Sequence, residues 1–291
     1  MIEKARVNGI ELGYELTPAK GAAAAAGEGR PSAAGAAASA AGASSEAVIF
    51  LNGIAMTTVH WKPFVEALPA FARLTHDFRG QVLSERPAGP YHLSDHVEDL
   101  DALLVSLGIE RFHLVGTSYG SAVGFLYALA HPEKVASMVV IDGASEVDAL
   151  LHAVLSGWQA AARATPMAFY KNLIPWTYSP EYLSDHHEFL REREAAIATF
   201  APSYFSAFVA LCGAFDELDI TGRLKEIRCP TLALEGEKDI LTAGRSKIIC
   251  EAIAGSRMEM MPGAGHAEVV EAPVPLIASM LAFYRSLGLP A

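Results

Sequence analysis

The sequence predicts an α/β fold: an eight-stranded, mostly parallel sheet with helices on both faces and an inserted block of helices. Three observations carry this. From Ala47 onward, short apolar runs alternate with helix-like segments, the pattern of strands joined by crossover helices. That alternation lapses between Asp142 and Thr231, where the chain reads as helices alone. Residues 2–8 and 10–16 flank Asn8–Gly9, a pair that tolerates the positive φ of a tight hairpin. Such a hairpin would add an antiparallel edge to the parallel sheet.

After the hairpin, from about Ala19 to Glu46, comes "AKGAAAAAGEGRPSAAGAAASAAGASSE". Alanine favours helix, but Gly, Ser and Pro31 interrupt the run and no large apolar residue anchors it. A loosely structured surface insertion is expected, in preference to a helical arm. Strands are expected at 47–51, 73–77, 112–117, 137–142, 231–236 and 257–262. "LSDHVEDLDALLVSLG" has a Ser cap, apolar residues at helical spacing and a stop at Gly108, the marks of a helix. In this reading, residues 1–145 and 228–291 form the core, and 146–227 a helical cap. The cap helices are expected in "EVDALLHAVLSGWQAAARA", "PEYLSDHHEFLREREAAIATF" and "PSYFSAFVALCGAF". Aromatic residues such as Trp158, Phe169, Tyr178 and Phe208 suit both helix packing and a lid over a site at the strand ends.

The chain has 291 residues, 52% of them hydrophobic, enough for one large core. A net charge of −11 argues against nucleic acid and against an anionic membrane surface as partners. The N-terminus has no basic segment followed by an apolar run, and no stretch approaches the roughly 20 apolar residues of a membrane span. Cys212, Cys229 and Cys250 are odd in number and lack metal-ligand spacing. Buried thiols in a reducing cytoplasm are expected, and no metal. No glycine-rich phosphate loop sits between a strand and a helix, so no dinucleotide cofactor is expected. Oligomeric state leaves no mark in the sequence.

The chemistry starts at "HLVGTSYGSAVG", His113 to Gly124. Gly116-Thr117-Ser118-Tyr119-Gly120 fits G-x-S-x-G directly after a strand and before the helix "SAVGFLYALAHP". On such a turn Ser118 must adopt a strained conformation to project its hydroxyl. Side chains two residues to either side would then meet backbone, which calls for glycine. A serine hydroxyl is unreactive at neutral pH without a base. His266, in "MPGAGHAEVVEAP", follows the last strand in a loop that can reach Ser118. His60 is a second candidate for a pocket rim, and His113 is expected in the sheet packing. His92, His96, His131, His186 and His187 fall on helices or helix ends and are expected at the surface. A base also needs an acid to fix its tautomer. Asp239, in "TLALEGEKDILT", is favoured over Asp142, which follows the preceding strand, and over Glu237. The order Ser118, Asp239, His266 is that of a hydrolase triad.

With these residues in place, the chain resembles the α/β-hydrolase superfamily over nearly its whole length apart from the alanine-rich run. "FLNGI" resembles the loop that supplies an oxyanion amide, which implies the Ile54 N–H. "GTSYG" matches the nucleophile elbow, with the Tyr119 N–H as second donor. "GEKD" resembles the acid loop and "GHAEVVEAP" the histidine loop. "HDFRGQVLSERP" resembles the D-x-R-G-H-G-x-S segment of enol-lactonases and related esterases. Asp77, Arg79, Gly80 and Ser84 match it, while Gln81 and Val82 replace His and Gly. Asn52 stands where His is common, and Ser121 where glycine is frequent.

The resemblance implies an α/β-hydrolase fold and a serine hydrolase acting on a carboxylic ester or lactone of a small to medium apolar substrate. The implied catalytic set is Ser118, Asp239 and His266, with Ile54 and Tyr119 at the oxyanion, and no cofactor. C–C bond hydrolysis, acyl transfer or perhydrolysis on the same triad stay open, as does a hydrolase-derived binding protein.

Overall fold

The apolar runs become strands because their alternate residues have two cores to fill. In the computed structural model, residues 1–20 and 46–291 are described. The strands are β1 (Glu3–Val7), β2 (Ile10–Thr17), β3 (Ala47–Leu51), β4 (Ala72–His76), β5 (Phe112–Thr117), β6 (Val135–Ile141), β7 (Thr231–Gly236) and β8 (Arg257–Met261). They form one sheet in the order β1-β2-β4-β3-β5-β6-β7-β8. β1 pairs antiparallel with β2, and β2 with β4; every other pairing is parallel. Asn8 (φ 48°) and Gly9 (φ 81°) turn the hairpin with positive φ at both positions, as a two-residue turn between twisted strands requires.

Side chains alternate along β3. Ile49 and Leu51 join the core that contains Leu100, Leu103 and Phe125. Val48 and Phe50 join the opposite one, with Trp61, Phe64 and Phe283. The period of two on a doubly covered sheet thus accounts for a strand buried at every residue. The covering helices are α1 (Lys62–Ala67), α2 (Leu93–Leu107) and α3 (Tyr119–Ala130) in the first half of the chain. Near the C-terminus come α9 (Arg245–Ala252), α10 (Glu268–Glu271) and α11 (Pro273–Ser286).

Between β6 and β7 lie α4 (Ala149–Ala164), α5 (Pro166–Thr177), α6 (Pro180–Asp185), α7 (His187–Ala198) and α8 (Pro202–Asp216). Phe169 of α5 ties this block together, with ring centroids 5.6 Å from Phe205 and 4.6 Å from Phe208.

Several expectations need correcting. The single helix expected over 180–200 is two, α6 and α7, because His186 leaves helical geometry (φ −119°, ψ 39°). α5 lies outside the expected helices. Thr165 caps it by accepting from the Ala168 N–H, and Pro166 opens it; its Pro175 lies close to the C-terminal end. β4, β6 and β8 each end one residue before the expected position. His96 is fully buried rather than on the surface, because its face of α2 packs on the elbow: its Nε2 lies 2.7 Å from the Tyr119 hydroxyl. Burial pushes its pKa down to about 3, so it is the neutral acceptor of the tyrosine proton. Cys250 is only partly buried, on the outer end of α9. The alanine-rich run, between residues 21 and 45, lies outside the described residues. Among the described residues, no single helix is long and apolar enough to cross a membrane.

Candidate active site

The turn from β5 into α3 holds Ser118 at φ 52°, ψ −115°. A non-glycine residue there costs about 1–3 kcal/mol unless its surroundings enforce it. The surroundings are tight. A Cβ on Gly116 would lie 2.7 Å from the Gly120 oxygen, and one on Gly120 would lie 2.2 Å from the Leu51 oxygen. Both glycines are therefore demanded by backbone-to-backbone approach. The Ser118 N–H donates to Ile141 at 2.8 Å, and the Ser121 hydroxyl donates to Gly116 at 2.8 Å, closing the elbow from within.

Two loops deliver the other members of the set. The β7 loop bends at Gly236, where a Cβ would lie 2.5 Å from the Gly265 oxygen. That contact lets the β7 and β8 loops touch. They are bonded by Glu237 N–H to Met261 O (3.0 Å) and Lys238 N–H to Ala264 O (2.8 Å). Asp239 and His266 are thereby fixed relative to each other. The His266 Nδ1–H donates to Asp239 Oδ2 at 2.9 Å, and the Ser118 hydroxyl lies 2.9 Å from His266 Nε2. Asp239 also accepts from the N–H groups of Leu241 (2.7 Å) and Thr242 (3.2 Å) and from the Thr242 hydroxyl. Burial alone would raise its pKa. The adjacent His266 and these hydrogen bonds outweigh burial and hold it well below the usual carboxylate range.

Asp142, the competing acid, sits at φ 48° and turns elsewhere: its Oδ1 accepts from the Gly236 N–H at 3.0 Å. Its other oxygen, and both oxygens of Glu268, are buried and meet no N–H or hydroxyl donor among the described residues. Glu268 faces Asp142, both are fully buried, and Asp142 has an oxygen within 4.8 Å of the Asp239–His266 pair. Burial, then the charges of neighbouring carboxylates, push both upward. Two desolvated carboxyls in contact cannot both ionise cheaply, so the pair retains a proton at neutral pH. The folded protein then binds more protons than the unfolded chain above the ordinary carboxylate range, and stability falls as pH rises. Glu268→Gln removes one of the two carboxyls and gives Asp142 an amide donor in its place, which lets Asp142 ionise near its ordinary range. The variant's melting temperature should fall less steeply than the wild type's between about pH 6 and 9, as scanning calorimetry would show; parallel curves would contradict the shared proton.

The loop after β3 is held by a polar network. Asn52 Nδ2 donates to Asp77 Oδ1 (2.9 Å) and Gln81 Oε1 (3.0 Å), and its oxygen accepts from the Trp61 indole at 2.8 Å. Gln81 Nε2 donates to the carbonyls of Gly53 (2.9 Å) and Ile54 (3.3 Å). In a trans peptide, C=O and the following N–H point to opposite sides. Pinning the Gly53 carbonyl to Gln81 therefore turns the Ile54 N–H the other way, and Gly53 and Ile54 line the same cavity as Ser118. Gln81, at the position where the resemblance expects His, thus acts as the clamp of this loop. Arg79 turns away to a two-point pair with Asp99 at 2.7 Å for each contact.

The cavity measures about 230 Å³. Thr117, Ser118 and His266 lie at its floor, with Trp158, Phe169 and Leu173 among its apolar walls. His60 is part of its lining, as its sequence position suggested. Tyr119 is fully buried, its ring stacked edge-on against Phe78 and Phe215 and its hydroxyl on His96, which leaves only its backbone toward the turn. Arg193 and the Asp142–Glu268 pair escape sequence reading. The one signal was a glutamate, Glu268, two residues after His266 and directly before Val269 and Val270.

Comparison with known proteins places the fold. The alpha/beta hydrolase fold family matches residues 46–174. A Pantoea ananatis protein named as a carbamate hydrolase, RutD, is 30% identical over 249 residues, 79% of this chain and 85% of that protein. The chain belongs to the α/β-hydrolase family. This α/β hydrolase is also 26% identical over 239 residues to 3-oxoadipate enol-lactonase 2 of Acinetobacter baylyi, covering 79% of this chain and 85% of the relative. Its fold matches the crystal structure of MGS-M2, an alpha/beta hydrolase enzyme from a deep-sea metagenome library. The TM-score is 0.85 and the identity 25%, over 97% of each chain.

Proposed function

We propose that this hydrolase cleaves a carboxylic ester or lactone through an acyl-enzyme on Ser118. The observation that carries the reading is the unbroken chain of two 2.9 Å hydrogen bonds, Ser118 to His266 to Asp239, at the floor of a mostly apolar cavity. His266 Nε2 takes the Ser118 proton as Oγ bonds to the substrate carbonyl carbon. The tetrahedral oxyanion is received by the N–H groups of Ile54 and Tyr119, each worth on the order of 3 kcal/mol in the transition state. The C–O bond breaks, and His266 returns the proton to the leaving alcohol, or to the ring oxygen of a lactone. Water then gives a proton to His266 and attacks the acyl carbon. Collapse releases the acid and restores the Ser118 hydroxyl. Residues 146–227 act as the cap that closes over the substrate.

The name of the Acinetobacter relative, an enol-lactonase, supports the lactone arm. The name of the Pantoea relative makes a carbamate the second carbonyl to assay. The test sets short p-nitrophenyl esters and lactones beside a carbamate and a vinylogous diketone. Ester or lactone turnover is expected, with one phosphonate adduct on Ser118 by mass spectrometry. Turnover of the diketone alone would replace the reading with C–C hydrolysis.

A further inference from the structure

Arg193 lies on α7 and lines the cavity that holds Ser118. Among the described lining residues it alone carries a permanent charge, and none is an aspartate or glutamate. The nearby carboxylates are committed elsewhere. Asp77 accepts from Asn52, Thr57, Thr58 and Leu83, and Asp239 from His266. Glu271 accepts from the Ser179 N–H at 3.1 Å and its hydroxyl at 2.6 Å.

A guanidinium has five N–H donors in a planar fork. The contacts the described residues give it are sparse: Arg193 Nη1 reaches His60 Nε2 at 3.3 Å, and its carbon lies 5.5 Å from the Phe189 ring centre. His60 brings no negative charge. Its Nδ1–H donates to the Thr57 carbonyl at 2.9 Å, which leaves Nε2 as the acceptor facing Arg193. Burial keeps its pKa low and the Arg193 charge pushes it the same way, so the ring is neutral. Arg193 is half-buried, so water reaches part of the guanidinium, but the donors it turns to the apolar cavity meet no counter-ion there, and a carboxylate that meets the fork in two hydrogen bonds supplies one.

We propose that Arg193 determines specificity by binding a carboxylate carried by the substrate away from the bond cleaved, so that the preferred substrate is an acid-bearing ester or lactone. This rests on the ester reading above and narrows it. The Arg193–His60 contact also bridges α7 to the core, so a simple latch is the competing role. A latch would serve charged and neutral substrates alike.

The test compares monomethyl glutarate with the neutral methyl pentanoate in a pH-stat, for wild type, Arg193→Met and Arg193→Lys. Wild type should show the higher kcat/KM on the glutarate. Arg193→Met should raise KM for the glutarate at least tenfold more than for the pentanoate, with Arg193→Lys between. Equal losses on both esters, or a wild-type preference for the pentanoate, would overturn the proposal. Binding is measured separately by calorimetry of monomethyl glutarate on Ser118→Ala protein, with and without Arg193→Met, where no turnover occurs. A tenfold weaker Kd in the double variant supports the anion site even if wild type turns over neither ester, a result that would count against the ester reading alone. An unchanged Kd overturns the anion site whatever the wild type hydrolyses.

Discussion

Ser118→Ala is expected to lower kcat on short-chain esters by about 10⁴- to 10⁶-fold, with residual rate left to the oxyanion donors and binding. The hydroxyl is the atom that would bond to the acyl carbon, and the only side-chain hydrogen bond it makes among the described residues is to His266. Folding should be little affected. Alanine at φ 52° carries the same Cβ penalty as serine. The backbone bonds that pin the turn, Ser118 N–H to Ile141 and Ser121 N–H to Ser118 O, do not involve the hydroxyl. The melting temperature should therefore stay within a few degrees. Adding His266→Ala to Ser118→Ala should cost almost nothing more, because a base without a nucleophile has no proton to take. Ester turnover above about one per cent of wild type in Ser118→Ala would remove Ser118 from the mechanism.

The sheet was legible because each of its parts leaves a local mark. Buried runs of five to seven residues, a positive-φ hairpin pair and a glycine that stops a helix are all set by neighbouring residues; the expected Ser cap of that helix is not observed, since His92 stands at its N-cap and Ser94 inside it. The positions of Ser118, Asp239 and His266 were legible for a related reason. Each follows a strand at its C-terminal end, and parallel strands put those ends side by side. The glycines that allow close approach, Gly120 against Leu51 and Gly236 against the β8 loop, were visible as residues, but their partners were not.

What the sequence withheld depends on contacts far apart along the chain. Nothing near His186 is a helix breaker, yet the chain turns there. α5, which the expected helices leave out, holds Pro175 near its C-terminal end. In the sequence Arg193 is one charge among several in "REREAAIA"; its cavity neighbour, His60, stands 133 residues earlier. The Gln81 clamp joins segments 27 and 28 residues apart. Without that contact, Gln81 is merely a departure from the family pattern.

Asp239→Asn should cost about 10³- to 10⁴-fold in kcat, whereas Asp142→Asn should cost no more than about tenfold. The difference follows from where each carboxylate aims. Asp239 offers Oδ2 to the His266 Nδ1–H and Oδ1 to two backbone N–H groups. Those two donors hold the oxygen of an asparagine in the Oδ1 place, so its NH₂ faces His266. The imidazole must then accept at Nδ1 and carry its proton on Nε2, the nitrogen that should take the Ser118 proton. The imidazolium formed in the reaction also loses its counter-charge. Asp142 makes no hydrogen bond to His266. An asparagine there still accepts from the Gly236 N–H through its oxygen, and its NH₂ can donate to the Glu268 carboxyl it faces. The substitution changes the shared proton of a buried pair and leaves the contact to His266 untouched. Steady-state rates for the two variants on one ester decide the matter, and a larger loss in Asp142→Asn would transfer the acid role to the end of β6.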